Sequence, residues 1–349
     1  MPSHVNATGS EVPATQSGEN GMADAPPDAP RAWRPSRIAI ARLARGQGLL
    51  LMLVVLVVYF SARSVYFLTW DNFLIIASAS AALGIMAMAQ TYLVVAGGVD
   101  LSPGSVLSLT GVIFALAENH GFSFWIAAML ALACALAVGA VNAVVTVVLG
   151  ITPLITTLGT LSIASGIAYT MAADKTFLIH DRLVEDLGNG SVHGFPICVI
   201  LFLVVFAGAV VFERYTALGR NVYALGGNIE AARLAGIRVR AIPFGLYLVS
   251  SLAAGVAGLI IAGQLSAASP DVGSTYLLSV VTAVILGGTS LAGGRGSAIG
   301  TFVAIGILGV LQNGFALLSL SSNVQTIALG ITLILAVLLD TFVRRLEQR

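Results

Sequence analysis

The chain has 349 residues, 57% of them hydrophobic and only 9% charged, with a formal net charge of +1; an average soluble domain carries about 25% charged residues. That balance excludes a soluble globular surface, and the 38 glycines fit a polytopic membrane protein, where Gly is frequent in the helices. Cys134 and Cys198 lie inside apolar runs and imply neither a disulfide framework nor a metal site.

Residues 1–30 are rich in Ser, Ala, Pro, Gly and acids and nearly devoid of large apolar side chains, so residues 1–46 read as a disordered tail. It ends in a basic juxtamembrane segment holding Arg31, Arg34, Arg37, Arg42 and Arg45. The first apolar run begins near Gln47, too deep for an ordinary cleaved signal peptide, and reads as a retained helix. From Phe73 to Ala173 only Asp100 and Glu118 are charged, which leaves room for several successive spans of about 20 residues.

Apolar runs fall at about 47–62, 73–95, 103–118, 123–149, 152–173, 196–212, 243–266, 274–289, 297–319 and 323–343. The expected fold is therefore an all-α polytopic membrane protein of about ten transmembrane helices, a transmembrane domain over 47–343, with both termini cytoplasmic and a basic tail over 344–349. With that orientation, of all the basic residues only Arg63, Lys175 and Arg182 face outward, in agreement with the positive-inside rule. Tyr66, Phe67, Trp70 and Phe73, and then Phe122, Phe124 and Trp125, cluster at the proposed outer ends as interfacial anchors.

Two connections are long. The outer one, 174–195, is mildly acidic; the inner one, 213–242, sets five arginines against Glu213 and Glu230 and has helical patterning, which points to a docking element. Gly97-Gly98-Val99-Asp100-Leu101 and Gly287-Gly288-Thr289-Ser290-Leu291 echo each other, each closing a span that runs from outside to inside.

Enzymatic chemistry has no visible seat. The only lysine, Lys175, follows Asp174 and not the Gly of a phosphate-binding loop, and all four histidines lie in the tail or the outer loops. No catalytic residue, no metal site and no bound cofactor is expected. Asp100 and Asp340 sit at predicted cytoplasmic helix ends, where a carboxylate stays hydrated. The spans hold instead uncharged hydrogen-bonding groups that suit a neutral, hydroxyl-rich solute. Membrane helices use such groups as interhelical glue worth roughly 0.6 kcal/mol each, so only a minority is expected along a pathway. Gln90, Asn142, Thr156, Thr157, Gln312 and Asn313 are the candidates, with Gln325 and Thr326 nearby. Pro153 and Gly159 bracket a Thr-rich stretch and predict irregular backbone lining a cavity.

The stretch from Ala262-Gly263-Gln264-Leu265 through Gly287-Gly288-Thr289-Ser290-Leu291-Ala292-Gly293-Gly294-Arg295-Gly296 to Asn313 and Asp340 resembles the membrane permeases of ribose-type ABC importers. Gly97-Gly98-Val99-Asp100-Leu101 and Thr157-Leu158-Gly159 are similar to further segments of that family, as is Gly219-Arg220 leading to Glu230-Ala231-Ala232-Arg233-Leu234-Ala235-Gly236. Pro103 departs from the family pattern, which has a small apolar residue there. The resemblance implies a bacterial inner-membrane subunit that moves a pentose, hexose or polyol. It also implies that Gly219, Arg220, Glu230, Ala231, Ala232 and Gly236 couple it to a partner ABC ATPase, which uses ATP and Mg. A periplasmic solute-binding protein, a second identical permease and the lipid bilayer are the other implied partners, with no nucleic acid. The alternative of a different class is a self-sufficient secondary transporter or facilitative pore for a small neutral solute; a membrane scaffold is a weaker one. Only the importer needs the Glu230–Gly236 segment as a coupling device.

Overall fold

The computed structural model describes the backbone of residues 37–347 and the side chains of residues 48–335, 337 and 338. Residues 1–36 of the expected tail and the side chain of Asp340 lie outside the described residues.

The helices in chain order are α1 (Arg37–Arg63), α2 (Trp70–Val95), α3 (Pro103–Asn119), α4 (Phe124–Ala143), which continues as a π turn over Val144–Val148, α5 (Pro153–Ala172), α6 (Arg182–Asn189), α7 (Ile197–Tyr215), α8 (Ala217–Gly227), α9 (Ile229–Leu234), α10 (Ala241–Leu265), α11 (Ser274–Leu286), α12 (Ala298–Leu317) and α13 (Ser322–Glu347). Each of the ten apolar runs falls on a helix, and α1 already begins at Arg37, within the basic segment that precedes the first run. Among the described residues six helices are long and apolar enough to cross a membrane: α2, α4 with its π turn, α5, α7, α10 and α12. The apolar stretches of α1, α11 and α13 are shorter, and α3 has 17 residues.

α2, α3 and α10 form the centre. α10 packs on α2, α3 and α4, while α2 also carries α7, α11 and α12. Close approach at this centre requires small residues: a Cβ on Gly258 would meet the Leu107 carbonyl of α3, and one on Gly139 would meet Ser251 of α10. The outer faces of α1, α4, α5, α7 and α13 expose Leu, Ile and Val, as a bilayer demands.

Several local expectations are corrected. The long 174–195 connection holds a helix of its own. Asp181 caps α6 by accepting from the Leu183 N–H at 2.8 Å, and α6 lies on α10, where the Asn189 amide donates to the Gly263 carbonyl at 2.9 Å. Two short antiparallel pairs brace it, β1 (Phe177–Leu178) with β4 (Ala267–Ala268), and β2 (Ser191–Val192) with β3 (Phe195–Pro196). The Thr-rich stretch after Pro153 is regular helix, since Pro at the first helical position gives up only a donor that has no partner anyway. The irregular backbone comes earlier, in the π turn and at Gly150, whose φ is +75°. Of the anchoring aromatics, Tyr66, Trp70, Phe73, Phe122 and Trp125 are exposed, but Phe67 is buried against Phe60.

Candidate functional site

At one end of the molecule α8 and α9 form a projection. The Thr216 hydroxyl accepts from the Gly219 N–H at 2.9 Å and caps α8. Asn228 caps α9, its Oδ1 accepting from the N–H groups of Glu230 and Ala231 at 3.0 Å each. α9 ends at Gly236, which has a φ of +77° and donates to the Arg233 carbonyl, while Ile237 donates back to Ala232. Within this projection Ala232 and Gly219 are buried, whereas Arg220, Glu230, Ala231 and Gly236 face outward. Leu234 is 90% exposed and Ile229 50%, so α9 presents apolar as well as charged groups. Glu230 pairs with Arg233 at 3.2 Å on the open surface.

The base of this projection is clamped to the helices that cross the centre. A side chain on Gly226 would collide with the Val95 carbonyl at the end of α2, and the Gly294 N–H donates to that same carbonyl at 2.8 Å. The Tyr223 hydroxyl donates to the Gly296 carbonyl at 3.0 Å. Burial, reinforced by the nearby Glu213 carboxylate, holds that hydroxyl well above its usual pKa, so it remains a donor. Nothing in the arginine-rich connection marks Glu213 as a functional residue in the sequence. Its Oε2 caps α12 by accepting from the Ala298 N–H at 2.8 Å, and it lies 3.3 Å from the Tyr92 hydroxyl of α2, which donates to the Ala209 carbonyl at 2.7 Å. The projection is thus tied to the C-terminal end of α2 through Gly226 and to the segment before α12 through Tyr223, while Glu213 of α7 caps α12.

The two echoing glycine segments meet in this clamp. Gly97 and Gly288 both adopt the left-handed conformation. Gly97 and Gly98 donate to Val94 and Leu93 just as Gly288 and Thr289 donate to Ile285 and Val284, so both segments end their helices with the same Schellman turn. The structural match is therefore Gly97 with Gly288, one residue away from the register read in the sequence, and Gly287 falls inside the turn, packed against Thr301. Gly293 packs between Gly226 and Gly97.

Asp100 is not a hydrated helix-end acid: it is 1% exposed. The chain folds back after α2 so that Asp100 Oδ1 accepts from the Ser102 N–H at 2.9 Å and the Ser102 hydroxyl at 2.6 Å. The Ser250 hydroxyl lies 2.9 Å from Oδ2 and 3.3 Å from Gln90 Oε1. Gln90 donates to the Asp100 carbonyl at 2.9 Å. The Asn142 amide donates to the Ser102 hydroxyl at 3.0 Å and accepts from the Thr160 hydroxyl at 2.7 Å. Burial raises the Asp100 carboxyl above its usual range, opposed by the Ser102 and Ser250 hydrogen bonds. This network joins α2, α4, α5 and α10, and it absorbs Gln90 and Asn142.

At the far end of the same helices lies a cavity of about 280 Å³ with a mixed polar and apolar lining. It is lined by Ala79 and Leu83 of α2, by the first turns of α11 and α13, and by the last half of α12 from Leu308 to Phe315. Of the six pathway candidates Gln312 alone lines it. Asn313 instead exchanges two hydrogen bonds with Asn72, at 3.0 and 2.8 Å, and ties the C-terminal part of α12 to the N-terminal end of α2. Thr157 donates to the Pro153 carbonyl at 2.9 Å, and the buried Thr156 hydroxyl has no partner among the described residues.

Residues 72–337 match the family model described as branched-chain amino acid transport system / permease component. The chain is 38% identical over 295 residues to the ribose import permease protein RbsC of Escherichia coli (strain K12), covering 83% of this chain and 92% of that protein. It is 34% identical over 295 residues to RbsC of Bacillus subtilis (strain 168), covering 84% and 92%. It is 31% identical over 261 residues to the autoinducer 2 import system permease protein LsrD of Photorhabdus laumondii subsp. laumondii, covering 73% and 78%. No solved structure matches.

Proposed function

The chain belongs to the branched-chain amino acid transport system permease family, among the permeases of ribose-type ABC importers, and from that premise we propose that it imports a monosaccharide through a path built from ten spanning helices. It is a multi-pass protein of the cytoplasmic membrane. Both termini face the cytoplasm in this reading, which puts the α8–α9 projection and the arginines of 213–242 on the inner side. A partner ABC ATPase engages α9 and hydrolyses ATP, a periplasmic binding protein delivers the sugar to the opposite end, and two copies of the chain form the channel.

The observation that carries this reading is the projection itself. α9 is capped at both ends, exposes Ile229 and Leu234, and stands on a base locked to α2 and α12. A surface loop with no mechanical task needs neither the caps nor the clamp. A partner that pushes on α9 therefore moves the ends of two central helices.

The test is to purify the tagged chain in mild detergent from its native host and identify what accompanies it by mass spectrometry. An ATPase chain and a solute-binding protein are expected. A repeatable absence of any ATPase, with sugar uptake intact, would replace the importer with a self-sufficient transporter.

A further inference from the structure

The cavity at the outer end of α2 and α12 has chemistry that goes beyond space left between helices. Among the described residues no Asp, Glu, Lys, Arg or His lines it; its polar groups are hydroxyls and amides, among them Tyr276, Ser279, Gln312, Gln325 and Thr326. A carboxylate or an ammonium entering it would shed its hydration and meet no opposite charge, which is strongly unfavourable. That argues against a zwitterionic amino acid as occupant. An alkyl chain would match the Leu, Ala and Phe part of the lining but would leave the Gln312 amide and the Tyr276 hydroxyl without a partner.

Two of the lining groups are uncommitted, Gln312 on the exposed side of the cavity and Tyr276 half-buried within it. Among the described residues the Gln312 amide and the Tyr276 hydroxyl have no hydrogen-bond partner, whereas Ser279, Thr326 and Gln325 bond to carbonyls of their own or neighbouring turns. Gln312 offers both a donor and an acceptor to a guest. Tyr276 and Phe315 add aromatic side chains to the lining, apolar surface beside which the C–H groups of a sugar can pack. The volume, about 280 Å³, is at the small end of ligand pockets, which run from about 300 to 1,000 Å³.

We propose that this cavity is a monosaccharide-binding site within a single permease chain, with Gln312 and Tyr276 as the groups that hydrogen-bond the ring hydroxyls. The inference rests on the importer reading and adds a station to it. α2 and α12 carry the site near one end and the clamp to α8–α9 at the other, so a sugar seated here touches the helices that the projection moves.

The test uses the complete transporter in proteoliposomes, with labelled D-ribose, D-xylose and D-galactose as probes at saturating binding protein. Wild-type uptake is measured with and without ATP, beside the ATPase rate stimulated by the binding protein. Gln312→Leu is expected to lower uptake of at least one sugar about five- to tenfold, the worth of one hydrogen bond, with the ATPase rate kept. Gln312→Asn is expected to restore part of it. Since the Gln312 side chain has no partner among the described residues, its loss does not endanger folding, and Ser279→Leu, which fills the cavity, provides a second block. Unchanged uptake of all three sugars in both Gln312→Leu and Ser279→Leu would overturn the site while leaving the importer standing. Wild-type uptake that needs no ATP would overturn the importer reading itself.

Discussion

The two ends of α2 and α12 are built on opposite principles. At the end beside α8 and α9 backbone meets backbone: Gly226, Val95 and Gly294 touch with no room for a side chain, and Glu213 caps α12 directly. At the other end the same helices stand apart around a cavity whose lining mixes Leu, Ala and Phe with amide and hydroxyl groups, some of them uncommitted. A joint without slack transmits displacement, and a space with uncommitted polar groups can respond to it. Rigidity and adaptability are thus placed at opposite ends of shared helices.

Slack introduced into the clamp should erase this contrast most completely. Gly226→Val forces a side chain against the Val95 carbonyl, and a loss of about 3 kcal/mol or more is expected, read as a lower melting temperature in detergent together with loss of binding-protein-stimulated ATPase activity. Full activity with unchanged melting would show that the contact is dispensable.

Asp100 tests the buried polar network that follows α2 beside the clamp. Asp100→Ala strands the buried Ser102 N–H and hydroxyl and should cost about 2 to 3 kcal/mol. Its pH dependence has a definite sign. Burial raises the folded carboxyl pKa above the unfolded value of about 3.9, so the folded state holds the proton more tightly. That contribution is complete below about pH 4 and is lost as pH rises through the raised folded value. Relative to Asp100→Asn, the wild-type chain should therefore lose melting temperature on going upward from about pH 4; a constant difference between the two would contradict the burial.

The smallest effect is expected at the outer rim. Asn313→Leu removes two hydrogen bonds to Asn72 that tie α12 to α2, worth about 1 kcal/mol in a membrane setting. Thermal unfolding in detergent should shift slightly, and transport should change less than with Gln312→Leu. A larger effect at Asn313 would move the recognition site toward the rim.

The helices were legible because a membrane leaves little choice: each span must be long and apolar, and all ten apolar runs fall on helices. The caps of α9 are local signals too, Asn228 before the helix and Gly236 after it. What could not be read locally was pairing across the fold. Glu213 looks like a solvated acid among arginines until it meets the α12 N-terminus. Asp100 looks hydrated until Ser250, 150 positions away, closes on it. Gln312 was legible as a polar residue in a span, but its cavity neighbours Tyr276 and Thr326 sit on other helices, and only packing gathers them. Gln90, Asn142 and Asn313 carried the same signal and are interhelical ties.

In this mechanism α9 is the handle through which a partner ATPase moves α2 and α12. Glu230 probes that role most directly, because it is exposed and its ion pair with Arg233 lies on the surface, where such pairs contribute little to stability. ATP-dependent sugar uptake by Glu230→Arg, measured beside its level of membrane insertion, should be abolished with insertion intact; wild-type uptake in that variant would contradict the role of α9 as the handle.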